Sequence, residues 1–110
     1  MKKEMSVYIA DILGSIKLIE DYIKGSSYES FEKDTGLQDK VLRRLEIIGE
    51  AASRLTVDFK DKNKEIPWKQ IIGLRNIIIH DYSIVNLKEV WNIVTKDLPV
   101  TKARIKNAKT

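Results

Sequence analysis

The strongest constraint on this chain is the recurrence of apolar side chains at steps of three and four residues. Tyr8, Ile12, Ile16, Ile19 and Ile23 form one such stripe, and Leu37, Val41, Leu45, Ile48, Ala52 and Leu55 form a second. A third contains Trp68, Ile71, Ile72, Arg75, Ile78 and Ile79, and a fourth Leu87, Val90, Trp91, Val94 and Leu98. That spacing places one apolar face on an α-helix, whereas a strand would alternate every second residue. Four amphipathic helices joined by short connections predict an all-α, up-and-down bundle of four to five helices.

The punctuation sets the expected boundaries. Gly25-Ser26-Ser27 ends the first helix, and Ser30 to Asp34 supports at most a short helical turn. Thr35 with Gln38 reads as a capping box for a second helix from about Leu37 to Phe59. Gly49, Ala51 and Ala52 leave its middle with small side chains. Glycine there costs about 1 kcal/mol relative to alanine, so a neighbouring helix or partner chain is expected to come close. Asp58 to Lys64 reads as a charged loop, and Ile66-Pro67-Trp68 opens the third helix. Asn86 is the expected N-cap of the fourth helix. Pro99 is expected to break that helix and leave residues 99–110 as a separate basic piece of a single domain spanning 1–110.

Composition narrows the classes. With no cysteine in 110 residues there is neither a disulfide framework nor a Cys-based zinc or redox site. The first residues lack the uninterrupted apolar run of a signal peptide, and no stretch approaches the ~20 apolar residues of a membrane span. The expectation is a chain of the cytoplasm without membrane contact. The net charge of +4 resides in the last segment, where Lys96, Lys102, Arg104, Lys106 and Lys109 stand against Asp97. The first 95 residues are neutral, so any affinity for nucleic acid rests on that segment and on individual arginines.

His80 is the single histidine, and imidazole is the side chain best suited to proton transfer near neutral pH. Arg75 precedes it by five residues on an otherwise apolar helix, and Asp81 and Tyr82 follow. An arginine among Leu74, Ile77, Ile78 and Ile79 requires a carboxylate partner or a polar cleft. Glu46 or Glu50 of the second helix would serve as a structural partner. On an unbroken helix Arg75 and Tyr82 share a stripe, while His80 lies about 140° from Arg75. The helix is therefore expected to end or loosen near Ile79 to His80. A helix C-terminus favours protonated histidine, and a guanidinium suits phosphate or the charge of a phosphorane. Together they fit metal-independent RNA cleavage by attack of the ribose 2′-OH on the adjacent phosphate. That reaction uses two proton-transfer groups. One histidine per chain thus points to a two-fold dimer whose helix-three ends line one cleft.

Arg75-x4-His80-Asp81-Tyr82 is similar to the R-x(4-6)-H motif of HEPN ribonucleases, in the R-x4-H-x-Y form of the HepT-like branch. Ile66-Pro67-Trp68, Gly73-Leu74-Arg75-Asn76, Phe31, Asp34 and Arg44 to Ala52 resemble the family in the same order, and the likeness covers about Val7 to Leu98. The resemblance implies a homodimeric HEPN bundle acting as the ribonuclease toxin of a toxin–antitoxin pair. Its partner is a minimal nucleotidyltransferase antitoxin, and no cofactor is implied. Carried over, Arg75 and His80 are catalytic and Asn76 is a polar supporter of the site; read from the residues alone, Glu50 is either an orienting partner for the arginine or a surface charge, and Asp81 is a supporting candidate beside His80. Tyr82 is the hydroxyl that receives AMP, whose charge and bulk would exclude RNA phosphate. The alternatives are a non-catalytic HEPN module binding a nucleotide or a nucleotidyltransferase, and a purely structural dimerisation bundle.

Overall fold

The computed structural model describes residues 3–80 and 86–110, the side chains of residues 3 and 77–80 excepted. Within them α1 spans Lys3–Ile23, α2 Tyr28–Lys33, α3 Thr35–Ser53, α4 Val57–Lys62 and α5 Trp68–His80. Then α6 (Leu87–Asn92) passes through a π-helical turn (Ile93–Asp97) directly into α7 (Leu98–Lys106). No strand occurs among the described residues, and the all-α bundle expected from the periodicity is what forms.

The four stripes meet in one core. Ile12, Ile16 and Ile19 of α1 are fully buried against α3, whose Val41, Leu45, Ile48 and Ala52 turn inward between α1 and α5. The α6–α7 rod closes the bundle along α1 with Val90, Val94, Leu98 and Ile105. Phe31 of α2 is sealed beneath it, its ring centroid 5.3 Å from that of Trp91.

Several boundaries differ from expectation, each for a local reason. The cap of α3 is Asp34, whose carboxylate accepts from the Leu37 N–H at 3.0 Å, and not Thr35. Gln38 instead turns its amide back to donate to the carbonyls of Phe31 and Glu32, tying down the end of α2. The second long helix stops at Ser53 rather than running to Phe59. Leu55 buries itself just after the stop, and the Thr56 hydroxyl caps a new helix by accepting from the Phe59 N–H. The charged stretch read as a loop is thus largely α4, because Phe59 has an apolar place to go against Trp68, 6.0 Å away. The Asn86 cap does form, accepting from the Glu89 N–H.

Pro99 does not break the last helix. A proline removes one backbone donor and crowds the carbonyl four residues earlier. The preceding turn accommodates this by widening to π geometry, with the Leu98 N–H donating to the Ile93 carbonyl. The Thr95 hydroxyl donates to the Trp91 carbonyl inside that turn. Nor is the basic segment a separate piece. Thr101 and Ile105 are buried, and Lys102 pairs with Glu20 of α1 at 2.8 Å. Asn63, 1 % exposed, fastens the final residues: its amide donates to the carbonyls of Phe59 and Lys109, and its side-chain oxygen accepts from the Lys109 N–H.

Candidate active site

Gly49 determines how Arg75 is presented. A Cβ at position 49 would lie 2.9 Å from the Arg75 backbone nitrogen, 3.0 Å from the Ile71 carbonyl oxygen and 3.1 Å from the Arg75 Cβ. The backbones of α3 and α5 therefore touch at this crossing, as the small residues of α3 led one to expect. That contact sets the Arg75 guanidinium over the last turn of α3. One Nη donates to Glu50 Oε2 at 2.9 Å and to the Ser53 hydroxyl at 2.8 Å. The Ser53 hydroxyl in turn donates to the Glu50 carbonyl at 2.6 Å. The other oxygen of Glu50 accepts from Arg54 at 3.1 and 3.2 Å.

The ion pair forms with Glu50, whereas Glu46 is engaged by Arg43 at 2.6 Å. Arg75 is 31 % exposed and Glu50 45 % exposed along their side chains, so the pair sits at the lip of the bundle rather than in its core. A half-solvated pair contributes little to stability. Its effect is to hold a guanidinium in one place, with its planar face of donors still reachable from solvent.

Ser53 and Arg54 were not among the residues singled out from sequence. Their signal was present: they stand three and four residues after Glu50 and so share its helical face. Asn76 is exposed beside Arg75. His80 is the last described residue of α5, five positions after Arg75 along the helix. The imidazole, Asp81 and Tyr82 lie outside the described residues, as does the chain just after His80, where an end of the helix would fall.

Two depressions flank this region. A groove of about 750 Å³ opens between α5 and the α6–α7 rod, with Ile71, Leu74, Ile93 and Val100 on its walls and Glu89, Asp97, Lys96 and Arg104 among its lining. A smaller cleft of about 210 Å³ runs between α1 and α3 and reaches Glu50 and Arg54. No cluster of three or more candidate metal-ligating side chains occurs among the described residues.

An all-α bundle that holds an arginine on the helix ending in the Arg75-x4-His80 motif defines a class, and the comparisons place the chain within it. Residues 12–108 match the ribonuclease HepT-like family model, and the chain belongs to that family. It is 38% identical over 104 residues to a Thermococcus cleftensis protein named "Probable ribonuclease HepT", covering 94% of each. It is 37% identical over 99 residues to a provisionally named RNase of Caldanaerobacter subterraneus, covering 90% of this chain and 88% of that one. A Methanocaldococcus jannaschii protein is 43% identical over 105 residues; its name pairs a gamma-glutamylcyclotransferase with a provisional RNase assignment. The match takes in 96% of this chain and 47% of that protein, so the chain spans about half of its length. No solved structure matches the chain.

Proposed function

We propose that this protein is an endoribonuclease that needs no metal ion, with Arg75 binding and neutralising the scissile phosphate and His80 moving the proton. The observation that carries this reading is the Arg75 guanidinium held at the surface by Glu50 and Ser53, on the helix whose backbone also includes His80. In the reaction the 2′-oxygen bonds to phosphorus, its proton leaves to a base, and the 5′-oxygen departs with a proton from an acid. The phosphorane between them carries extra negative charge, which a fixed guanidinium stabilises without having to reorganise.

The working unit of this proposal is a homodimer. Four residues separate Arg75 from His80, a spacing that on a regular helix puts the two positions about 140° apart, so a second chain is the simplest source of an arginine and a histidine for one phosphate. A two-fold axis near the end of α5 supplies a second arginine and histidine to one cleft. The apolar groove beside α5 supports a self-association surface. Its lining carries both Glu89 and Asp97 and Lys96 and Arg104, the mixture of signs an isologous contact requires. The biological setting proposed is a toxin silenced by a minimal nucleotidyltransferase antitoxin that attaches AMP to Tyr82. The added phosphate would repel RNA from Arg75.

The test is cleavage of single-stranded RNA by the purified protein in excess EDTA. The parent is expected to cut, and Arg75→Ala and His80→Ala to lower kcat/KM at least about a hundredfold. Activity that survives both changes, or that disappears with EDTA, refutes the mechanism. Co-expression with the partner enzyme should add AMP mass to Tyr82 and none to Tyr82→Phe.

A further inference from the structure

The cleft between α1 and α3 has no part in the mechanism just described, yet it shares two residues with the Arg75 cluster. Tyr8, Asp11, Arg43, Glu46, Glu50 and Arg54 line it, and Arg54 and Arg75 grip opposite oxygens of Glu50. The helices run antiparallel: Lys40 of α3 lies over the Tyr22 ring at the far end of α1, while Tyr8 and Asp11 sit by the end of α3. The cleft therefore begins at Glu50, the carboxylate that Arg75 grips, and leads away from it along α1.

Its charge indicates what fits. Arg43 is bonded to Glu46, and Arg54 and Arg75 share Glu50. Adding Asp11 gives three carboxylates against the two guanidiniums of its own lining, with Arg75 just beyond, on the far oxygen of Glu50. A track for several phosphates would be clearly positive, and this one is not. Its volume of about 210 Å³ is below the ~300 Å³ at which sites for drug-sized ligands begin. What suits it is one phosphate at the Arg54 end and one neutral, planar, polar group beyond. Among the described residues neither the exposed Asp11 carboxylate nor the Tyr8 hydroxyl has a hydrogen-bond partner, so both are available to read such a group.

We propose that this cleft is the subsite for a nucleotide next to the scissile bond of single-stranded RNA, with Arg54 on its phosphate and Asp11, beside Tyr8, on the Watson–Crick edge of its base. This rests on the ribonuclease reading above. An ionised carboxylate only accepts hydrogen bonds, and it accepts two at once from adjacent donors. Guanine is the base that offers two, from N1–H and the exocyclic amino group; cytosine and adenine offer the amino group alone, and uracil sets its N–H between two oxygens. The subsite thus selects guanine beside the cut. Single-stranded RNA exposes that edge, whereas a duplex hides it.

The experiment uses a pool of short oligoribonucleotides of randomised sequence, with cut sites mapped by sequencing. The parent should enrich guanine at one position adjacent to the cut, and Asp11→Asn, an exposed change that leaves the melting temperature in place, should abolish that enrichment. Arg54→Ala should raise KM about tenfold, by more than it lowers kcat. Placed on His80→Ala so that binding is read without cleavage, Arg54→Ala should reduce the salt slope of RNA affinity by roughly 0.7, with Arg54→Lys restoring it. A parent that cuts without base preference, or profiles and salt slopes that these changes leave untouched, overturns the subsite and leaves the ribonuclease reading standing. A parent that neither cuts nor binds RNA overturns both.

Discussion

The residue that does most to shape the site carries no side chain. With backbone atoms 2.9 and 3.0 Å from where its Cβ would be, Gly49→Ala forces α3 and α5 apart instead of nudging a flexible side chain. Such overpacking costs about 1–3 kcal/mol, and the displaced crossing carries Arg75 away from Ser53. Urea unfolding should report the first effect and RNA cleavage the second, with the loss of activity exceeding what lost stability explains. Ser53→Ala makes the opposite test. It removes two hydrogen bonds of a partly buried hydroxyl, worth about 1 kcal/mol each, so the fold should hold while cleavage falls. In an Arg75→Ala background the same change should do nothing further to activity, because Ser53 acts through that guanidinium. Equal losses in both backgrounds would separate Ser53 from Arg75.

At the scale of elements, what could be read in the sequence was whatever depends on one helix at a time. The stripes gave α1, α3, α5 and the rod as far as Leu98 though not its passage through Pro99, Asn86 gave its cap, and the small residues of α3 gave the close approach at Gly49. Glu50 was legible as a partner for Arg75 because an arginine on an apolar face needs a carboxylate from the neighbouring helix. The misreadings concern places where a second element decides. Thr56 caps α4 only because Leu55 and Phe59 find burial. Asp34 outcompetes Thr35 as a cap while Gln38 is drawn to α2. Ser53 and Arg54 fall inside the helix that the periodicity extends to Phe59, whereas α3 stops at Ser53 and both side chains turn to Glu50 or its arginine partner. Thr56→Ala should cost about 1 kcal/mol and loosen α4 first, as amide exchange would show. In α2 the Glu29 carboxyl lies below its ordinary range, held there by its own backbone N–H and by the Ser27 hydroxyl. A depressed carboxyl stabilises the folded state above its unfolded pKa, and that contribution fades as pH falls through the folded value. The Ser27 and Ser30 amides should therefore hold their positions through the ordinary carboxyl range and shift only at lower pH, as an NMR titration would show.

For the whole molecule, the dimer is the claim with most at stake. Refolding the parent with an excess of chains carrying both Arg75→Ala and His80→Ala should lower cleavage below the parent's share of the chains, since a mixed dimer holds one histidine where the reaction uses two. Activity that falls only in proportion to that share would confine the chemistry to one chain. The rod that closes the bundle has its own consequence for how such sequences vary in length. A π turn holds one residue more than the α turn it replaces. Losing a residue from α6 or α7 rotates everything beyond it by about 100° and takes Thr101 and Ile105 off α1. Losing one between Ile93 and Asp97 only restores an α turn and leaves both flanks in phase. It also returns the Pro99 ring to the carbonyl that the wider turn had moved aside. A shorter relative of this rod is therefore expected to have its deletion at that turn and to have lost the proline with it.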